Sequence, residues 1–257
     1  MAILAYNEEA SQRLLAVYTT PDVDAQRQEF LNAIALDAGE KVLDVGSGPG
    51  FLAKIMAEKV KPHGSVYGVD VSEFLLNVAR SNTSEKEGLE YLYGDATELP
   101  FPDEYFDTLV CAQVLEYVKD ADKALREFHR VVRKGGKIAL LDTDWNSIVW
   151  QSSDQERMSR ILKAWEAHAT DPFLPRTLAA RMGKAGFKVT SIQMIPILNP
   201  EYDPNTYSNR IIDLIVPFIL EQGEINQEEV DDWVAELRNQ ESYFFSLNRY
   251  LFLGVKT

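Results

Sequence analysis

The residues best suited to chemistry stand at the ends of short apolar segments. Asp44 is followed by Gly46, Gly48 and Gly50 in the segment VLDVGSGPGF. Glycines at such a turn let the backbone approach a ligand closely. Asp70 ends the next apolar segment, SVYGVD, where a carboxylate can accept hydrogen bonds from both hydroxyls of a ribose. This spacing predicts a nucleoside-containing ligand beside a glycine-rich turn.

The pattern of the turn narrows the class of ligand. Dinucleotide-binding turns follow G-x-G-x-x-G, whereas Phe51 stands at the place of the third glycine here. No Gly-Lys-Ser/Thr triplet follows the turn, which excludes a P-loop. The acid at Asp70 is shared with nicotinamide-dependent enzymes, so it supports a nucleoside without choosing between ligand classes.

A parallel sheet is needed to bring these residues together. Between residues 37 and 145, strand-like segments alternate with segments of helical periodicity, which indicates βαβ units. The strand cores VLDV, LVCA and IALL lack apolar–polar alternation, as strands buried on both faces do. We predict an α/β fold: a Rossmann-like, doubly wound, mostly parallel seven-stranded sheet with helices on both faces.

Helical segments flank this core. Residues 10–30 have helical character and precede the sheet. Two later strand-like segments, 188–198 and 243–256, are separated by 44 residues, an insertion long enough to predict a helical lid. We expect a single domain over residues 1–257, with an N-terminal helical cap at 1–36, a ligand-binding core at 37–198 and 243–257, and the lid at 199–242.

Composition excludes several classes of protein. The 257 residues are 46% hydrophobic and carry a net charge of −14, which disfavours nucleic acids and anionic membranes as partners. The single cysteine, Cys111, excludes a disulfide scaffold, and no histidine has a partner at metal-ligand spacing. No apolar run is long enough to span a membrane, and the N-terminus lacks a secretory pattern. We expect a cytoplasmic protein without a metal, acting on a small molecule.

Four motifs in order resemble those of class I S-adenosylmethionine (SAM)-dependent methyltransferases. The turn after Asp44 matches D-x-G-x-G-x-G. The segment GDATELPFPDEYFD is similar to one in the ubiquinone/menaquinone-biosynthesis methyltransferases. CAQVLEYV and RVVRKGGKIALLDTDW match later motifs of the family. The resemblance covers residues 37–145 and weakens after Trp145.

The resemblance implies a cofactor role for several residues. The glycine turn would wrap the amino-acid end of SAM, with Asp44 beneath it, and Asp95 would bind the adenine amino group. Tyr18 would approach the sulfonium, with Gln26 and Arg27 as further contacts to the methionine carboxylate. The residues implied to bind the cofactor are Tyr18, Asp44, Gly46, Ser47, Gly48, Gly50, Asp70, Val71, Asp95, Ala96 and Gln113.

The reaction that the resemblance implies is transfer of the SAM methyl group to a small organic acceptor, leaving S-adenosylhomocysteine (SAH). The acceptor atom is N, O or C. Aromatic residues of the lid and its surroundings predict an apolar or aromatic acceptor: Tyr202, Tyr207, Phe218, Trp233, Trp145, Trp150 and Trp165. Two alternatives stay open, a nicotinamide-dependent oxidoreductase and a non-catalytic SAM-binding scaffold.

No catalytic residue is assigned from the sequence. The candidates for a general base are Glu116, Tyr117, Asp144 and His168, which follow sheet strands or lie in the substrate region. Relatives often carry histidine where this chain has Tyr117, so one familiar candidate is missing. The sequence does not indicate an oligomeric state.

Overall fold

The apolar segments of the sequence pair into a mixed sheet in the computed structural model, which describes residues 8–83, 88–238 and 243–257. Within these residues the sheet has eight strands rather than the seven predicted. The strands are β1 Lys41–Val45, β2 Ser65–Asp70, β3 Leu89–Tyr93, β4 Phe106–Ala112, β5 Val132–Thr143, β6 Val149–Trp150, β7 Phe187–Asn199 and β8 Phe245–Lys256.

The strand order places a ligand site at one edge of the sheet. Strands β3-β2-β1-β4-β5 run parallel, and β8 joins β5 antiparallel. Both β7 and β6 pair with β8, and β6 is the additional strand. Its two residues are too few to give a periodic signal, which explains the wrong strand count. The chain order reverses between β1 and β4, and open α/β sheets bind ligands at the carboxyl ends of strands at such a point.

Helices cover both faces of the sheet. They are α1 Glu8–Tyr18, α2 Pro21–Ile34, α3 Phe51–Lys59, α4 Glu73–Ser81, α5 Ala121–Val131, α6 Gln155–Glu166, α7 Pro175–Lys184, α8 Tyr207–Gln222 and α9 Gln227–Arg238. Phe30, Met56 and Leu76 bury against Val42 and Val66 on one face, whereas α5 and α7 cover the other. The parallel strands are therefore shielded from water on both sides.

The helical segment predicted at residues 10–30 consists of two helices. Helix α1 ends at Tyr18, where the Thr20 hydroxyl donates to the carbonyl of Val17 at 3.0 Å. Pro21 then begins α2, since proline suits the first turn of a helix but not its interior. The break lets the two helices pack against different neighbours, α1 against α8 and α2 against β7.

The segment between β7 and β8 contains α8 and α9. Their apolar faces join those of α1 and α6 in a third core cluster beyond the ends of β5 and β8. Trp165, Tyr207 and Trp233 are all at most 2% exposed in this cluster. The segment is therefore a packed helical layer, and α8 supports the helix α1 that precedes the sheet.

Candidate functional site

A cavity of about 880 Å³ opens at the carboxyl ends of the parallel strands. Its volume lies within the range of small-molecule and cofactor pockets. Ten of the eleven residues that the sequence assigned to a cofactor line it: Tyr18, Asp44, Gly46, Ser47, Gly48, Asp70, Val71, Asp95, Ala96 and Gln113.

The glycine turn joins β1 to α3 with left-handed backbone at three positions. Gly46, Gly48 and Gly50 have φ of 71°, 51° and 80°. A Cβ on Gly46 would lie 2.1 Å from a methyl of Val114, so this position requires glycine for packing as well as for backbone.

Gly50 is the one residue of the assigned set that the described cavity lining does not include. The Tyr91 hydroxyl donates to its carbonyl at 3.3 Å and would stand 2.1 Å from a Cβ placed on Gly50. The third glycine therefore makes room for the Tyr91 ring rather than for a ligand.

Asp70 is held in one orientation by the turns on either side of it. Its Oδ2 accepts from the Gly48 N–H and its Oδ1 from the Ser72 N–H, both at 2.8 Å. Burial raises the pKa of this carboxyl, and the N–H donors of Ser72 and Gly48 oppose that effect. The fixed carboxylate keeps lone pairs for hydroxyl donors on a ligand.

Asp95 and Ala96 lie at the end of β3, on the same cavity. The Asp95 carboxylate accepts from the Thr97 N–H at 2.7 Å, which orders the turn. Ala96 is buried, whereas Asp95 is exposed. This pair therefore forms the rim of the cavity beyond Asp70.

Asp44 presents an unsatisfied carboxylate oxygen at the base of the cavity. The side chain is buried, and its Oδ2 has no hydrogen-bond partner within the described residues. Burial, and then the charge of Asp70, raise the pKa of Asp44 to about 7. A ligand cation would satisfy this oxygen, and the α-ammonium group of SAM is such a cation. The unpaired carboxylate oxygen of Asp44 therefore fits the ammonium group of SAM.

Gln113 leaves β4 with a φ of 58°. Its amide donates to the Leu141 carbonyl at 3.3 Å and accepts from the Thr143 hydroxyl at 2.5 Å. Both ends of the amide are thus tied to β5, so Gln113 is a rigid part of the cavity wall.

Arg27 and Gln26 line the cavity from α2, although they differ in their partners. Arg27 donates to the Tyr18 carbonyl at 2.7 Å and lies 5.1 Å from the centre of the Phe51 ring, beside the glycine turn. Burial lowers its pKa, and Asp24 opposes that effect. Gln26 instead donates to the Ile195 carbonyl at 3.1 Å and accepts from Arg249.

Two of the four candidate bases have structural partners away from the described cavity lining. The buried Glu116 accepts from the Thr143 N–H at 3.0 Å and from the Trp145 indole at 3.2 Å. Burial raises the pKa of Glu116 to about 7. Asp144 pairs with Arg176 at 2.7 Å. The pairing with Arg176 accounts for Asp144. Glu116 instead keeps one buried oxygen, Oε1, without a hydrogen-bond partner in the described part of the chain, and it interacts with Tyr117 of the cavity wall.

The other two candidates, Tyr117 and His168, form a pair. Tyr117 lines the cavity, and its hydroxyl lies 3.4 Å from Nε2 of the buried His168. The His168 Nδ1 contacts the Trp165 carbonyl at 2.5 Å, and a carbonyl only accepts, so Nδ1 carries the proton. Nε2 is then an acceptor for the Tyr117 hydroxyl, which also forms a side-chain hydrogen bond with Glu116. Burial lowers the pKa of His168 to about 3, so the ring is neutral at pH 7.

The prediction that aromatic residues of the lid and its surroundings line the acceptor site is wrong. Trp165 and Trp233 are buried with Phe218 in the third core cluster, and Tyr202 is 38% exposed. None of the seven aromatic residues contributes to the described lining of the cavity. Apart from Tyr202, their rings are buried in the third core cluster, away from the cavity.

The cavity is also lined by five residues that the sequence analysis did not identify: Leu14, Val23, Phe30, Leu141 and Arg249. The apolar members have the spacing of ordinary core residues. Arg249 lies within the apolar final strand and belongs to no motif, so only the fold brings it to the site.

The described residues contain no group of three or more His, Cys, Asp or Glu side chains that could hold a metal ion. Likewise, none of the helices in the described ranges is long and apolar enough to cross a membrane.

Comparisons with known proteins agree with this architecture. The sequence profile of the methyltransferase domain family matches residues 43–140. The ubiquinone/menaquinone biosynthesis C-methyltransferase of Cupriavidus pinatubonensis is 34% identical over 161 residues, 62% of each protein. The chain spans about half the length of the first curated relatives it matches.

Solved structures share the fold at low sequence identity. A Bacillus halodurans protein described as a methyltransferase has a TM-score of 0.64 at 20% identity, over 90% of this chain and 99% of that one. Phosphoethanolamine N-methyltransferase 2 of Haemonchus contortus, in complex with S-adenosyl-L-methionine, has a TM-score of 0.61 at 19% identity, over 98% of this chain and 57% of that one.

The fold is that of class I methyltransferases, and residues 43–140 match the methyltransferase domain family. Within that class the chain is similar to the ubiquinone/menaquinone-biosynthesis methyltransferases. The family resemblance, the α/β fold class and the cofactor predicted from the motifs are thereby confirmed, apart from the number of strands.

Proposed function

We propose that this protein transfers the methyl group of SAM to a small organic acceptor. The observation that carries the proposal is the arrangement of Asp44, Asp70 and Asp95 on one cavity, at the ends of three parallel strands. Asp44 would pair with the α-ammonium group, Asp70 would accept from the ribose hydroxyls, and Asp95 would bind the adenine amino group. Bound SAM supplies a methyl group activated by its positively charged sulfur.

The chain contributes mainly positioning to this reaction. Gln113 is fixed by two hydrogen bonds to β5, and Tyr18 lines the same cavity from the end of α1. Holding an acceptor in line with a methyl donor can contribute about 7–11 kcal/mol through lost translational and rotational freedom. We propose that Gly50 shapes the turn and that the other ten assigned residues contact the cofactor.

Tyr117 adds an oriented oxygen to the acceptor end of the site. Its hydroxyl is held by two buried partners, His168 Nε2 and Glu116, so it would present a fixed hydrogen-bonding group to the methyl acceptor. The low basicity of the buried His168 favours an orienting role over that of a final proton acceptor.

A label-transfer assay tests the proposal. The purified protein would be incubated with methyl-labelled SAM and a panel of small aromatic and aliphatic acids, phenols and amines. We expect labelled product with at least one acceptor, and none with Asp70→Asn. Folded protein that binds SAM but labels no member of a broad panel would favour the scaffold alternative.

A further inference from the structure

Arg249 brings a buried positive charge to the cavity. It lies on β8 directly opposite Thr143 of β5, is 5% exposed and lines the cavity. Guanidinium groups are rarely buried unless they are paired with an anion. The partners of Arg249 therefore bear on what the cavity binds.

Those partners leave the guanidinium incompletely satisfied. One of its NH groups donates to Gln26 Oε1, and the group also hydrogen-bonds to Tyr207, whose ring centre lies 5.2 Å away. Its Nε is buried without a hydrogen-bond partner in the part of the chain that the structure describes. No ion pair within 4.0 Å joins Arg249 to an acid among the described residues, although the charge of Glu116 acts on it from further away. Neutral groups thus hold a buried cation beside a ligand cavity.

Arg249 lies close to the residues expected at the methionine end of the cofactor rather than to the glycine turn. The cation beside the glycine turn is Arg27, which lies over the Phe51 ring and is paired with Asp24 at 2.7 Å. Arg249 instead lies next to β5, whose Thr143 bonds to Gln113. The nearer part of the proposed SAM site is therefore Gln113, at the methionine end, where the acceptor must also bind.

We infer that Arg249 binds a carboxylate on the methyl acceptor, whose remaining body is apolar. This inference rests on the proposed methyl transfer. A carboxylate matches the planar guanidinium, and burial strengthens that pairing. The Gln26 contact fixes the guanidinium in advance, while Val23, Phe30 and Leu141 give the same cavity apolar surface. The acceptor class is thus an aromatic or other apolar carboxylic acid.

A pair of probes that differ only in charge tests this inference. Binding of 2-naphthoate and of 2-naphthamide would be measured by calorimetry on SAH-saturated protein, for the wild type, Arg249→Gln and Arg249→Lys. We expect the wild type to bind the carboxylate at least tenfold more tightly than the amide. Arg249→Gln should abolish that preference, whereas Arg249→Lys should keep part of it. The Kd for SAH should stay within twofold in both variants.

Three results would overturn the inference: no naphthoate binding, equal binding of the two probes by the wild type, or a loss of SAH affinity in Arg249→Gln with naphthoate binding intact. The wild-type comparison decides the matter even where Arg249→Gln does not fold. Failure of folded wild-type protein to bind SAH would instead count against the proposed function itself, so the two failures are distinguishable.

Discussion

At the scale of single residues, three carboxyl groups in or near the site, Asp44, Glu116 and Asp142, are buried. Burial raises the pKa of Asp44 and of Glu116 to about 7 and raises that of Asp142 well above its usual value, where the charge of Glu116 adds to the effect. Of these three, Asp44 lines the cavity. Its protonation state should therefore respond to a cationic ligand.

Cofactor binding should depend on pH through Asp44. Below pH 7 the free protein must release the Asp44 proton before it can pair with the α-ammonium group, so SAM affinity should rise from pH 5.5 to 7. The limit for one released proton is about tenfold per pH unit. Calorimetric Kd values at several pH values would measure this slope. Asp44→Asn, which cannot titrate, should flatten it, and an unchanged slope in that variant would refute the assignment.

The Tyr117–His168 pair should affect the acceptor and not the cofactor. His168→Phe removes one hydrogen-bond partner of the Tyr117 hydroxyl and leaves Glu116 as the other, so we expect kcat/KM for the acceptor to fall by about tenfold, the cost of one hydrogen bond. Tyr117→Phe should have an effect of similar size, and the double variant should be no worse than either single one. Additive losses, or a weaker Kd for SAM, would contradict the pairing.

The role of a residue could be predicted from the sequence where the residue belongs to a local motif. Asp44 and Asp70 each end a strand beside a turn, and both line the cavity. The pairing of His168 with Tyr117 and the place of Arg249 in the cavity could not be predicted, because the partners lie 51 and 223 positions apart in the chain. No spacing rule connects such distances, and only the closed fold does so.

At the scale of elements, the glycine turn combines two different requirements. Gly46 and Gly50 both need positive φ, and both lack room for a Cβ because Val114 and Tyr91 fill the space. Gly39 has a φ of 87°, and a Cβ on it would have no atom within 4 Å. A side chain at this position would therefore strain the backbone without clashing with a neighbour.

Substitution by alanine should separate these two requirements. Gly39→Ala should lower the free energy of unfolding by about 1 kcal/mol, the cost of a left-handed backbone. Gly50→Ala should lower it by about 2–4 kcal/mol, since overpacking against Tyr91 adds to that cost. Denaturant unfolding of the two variants would measure the difference. Equal losses would show that Tyr91 does not constrain the turn.

The elements themselves were predictable in proportion to their burial. The cores of β1, β4 and β5 (VLDV, LVCA and IALL) lack apolar–polar alternation because helices cover both of their faces. The helices α8 and α9 were also foreseeable as helical, but their direction of packing was not. Amphipathic periodicity marks an apolar face without saying whether a ligand or another helix covers it. We propose that residues 199–242 act on the site through the contact of α8 with α1 rather than as an acceptor wall.

At the scale of the whole molecule, buried acids link stability to pH. A carboxyl with a raised pKa keeps its proton in the folded chain after the unfolded chain has released it. Asp44 and Glu116 are in this state between about pH 4 and pH 7, so their contribution to the free energy of unfolding falls as the pH rises. The pKa of His168 is lowered, so its contribution to the free energy of unfolding increases as the pH rises toward 6.5. This single imidazole offsets only part of the stability that the two carboxyl groups lose.

We therefore expect the ligand-free protein to lose stability as the pH rises from 5 to 8, by about 3 kcal/mol. Urea unfolding at a series of pH values would measure this decline. Asp44→Asn and Glu116→Gln should each make it shallower, because a neutral amide replaces a group that must ionise. Stability that is constant or increases across this range would show that these carboxyls are not buried as described.

The measurement that tests the central claim most directly is calorimetric titration of the purified, cofactor-free protein with SAM, SAH and NADH. Asp70→Asn should serve as the site variant, and Asp37→Asn, whose side chain is 84% exposed, as the matched control. We predict micromolar binding of SAM and SAH, weakened at least tenfold in Asp70→Asn and unchanged in Asp37→Asn, with no binding of NADH. Absence of SAM binding by the folded protein, or binding of NADH in its place, would contradict the account.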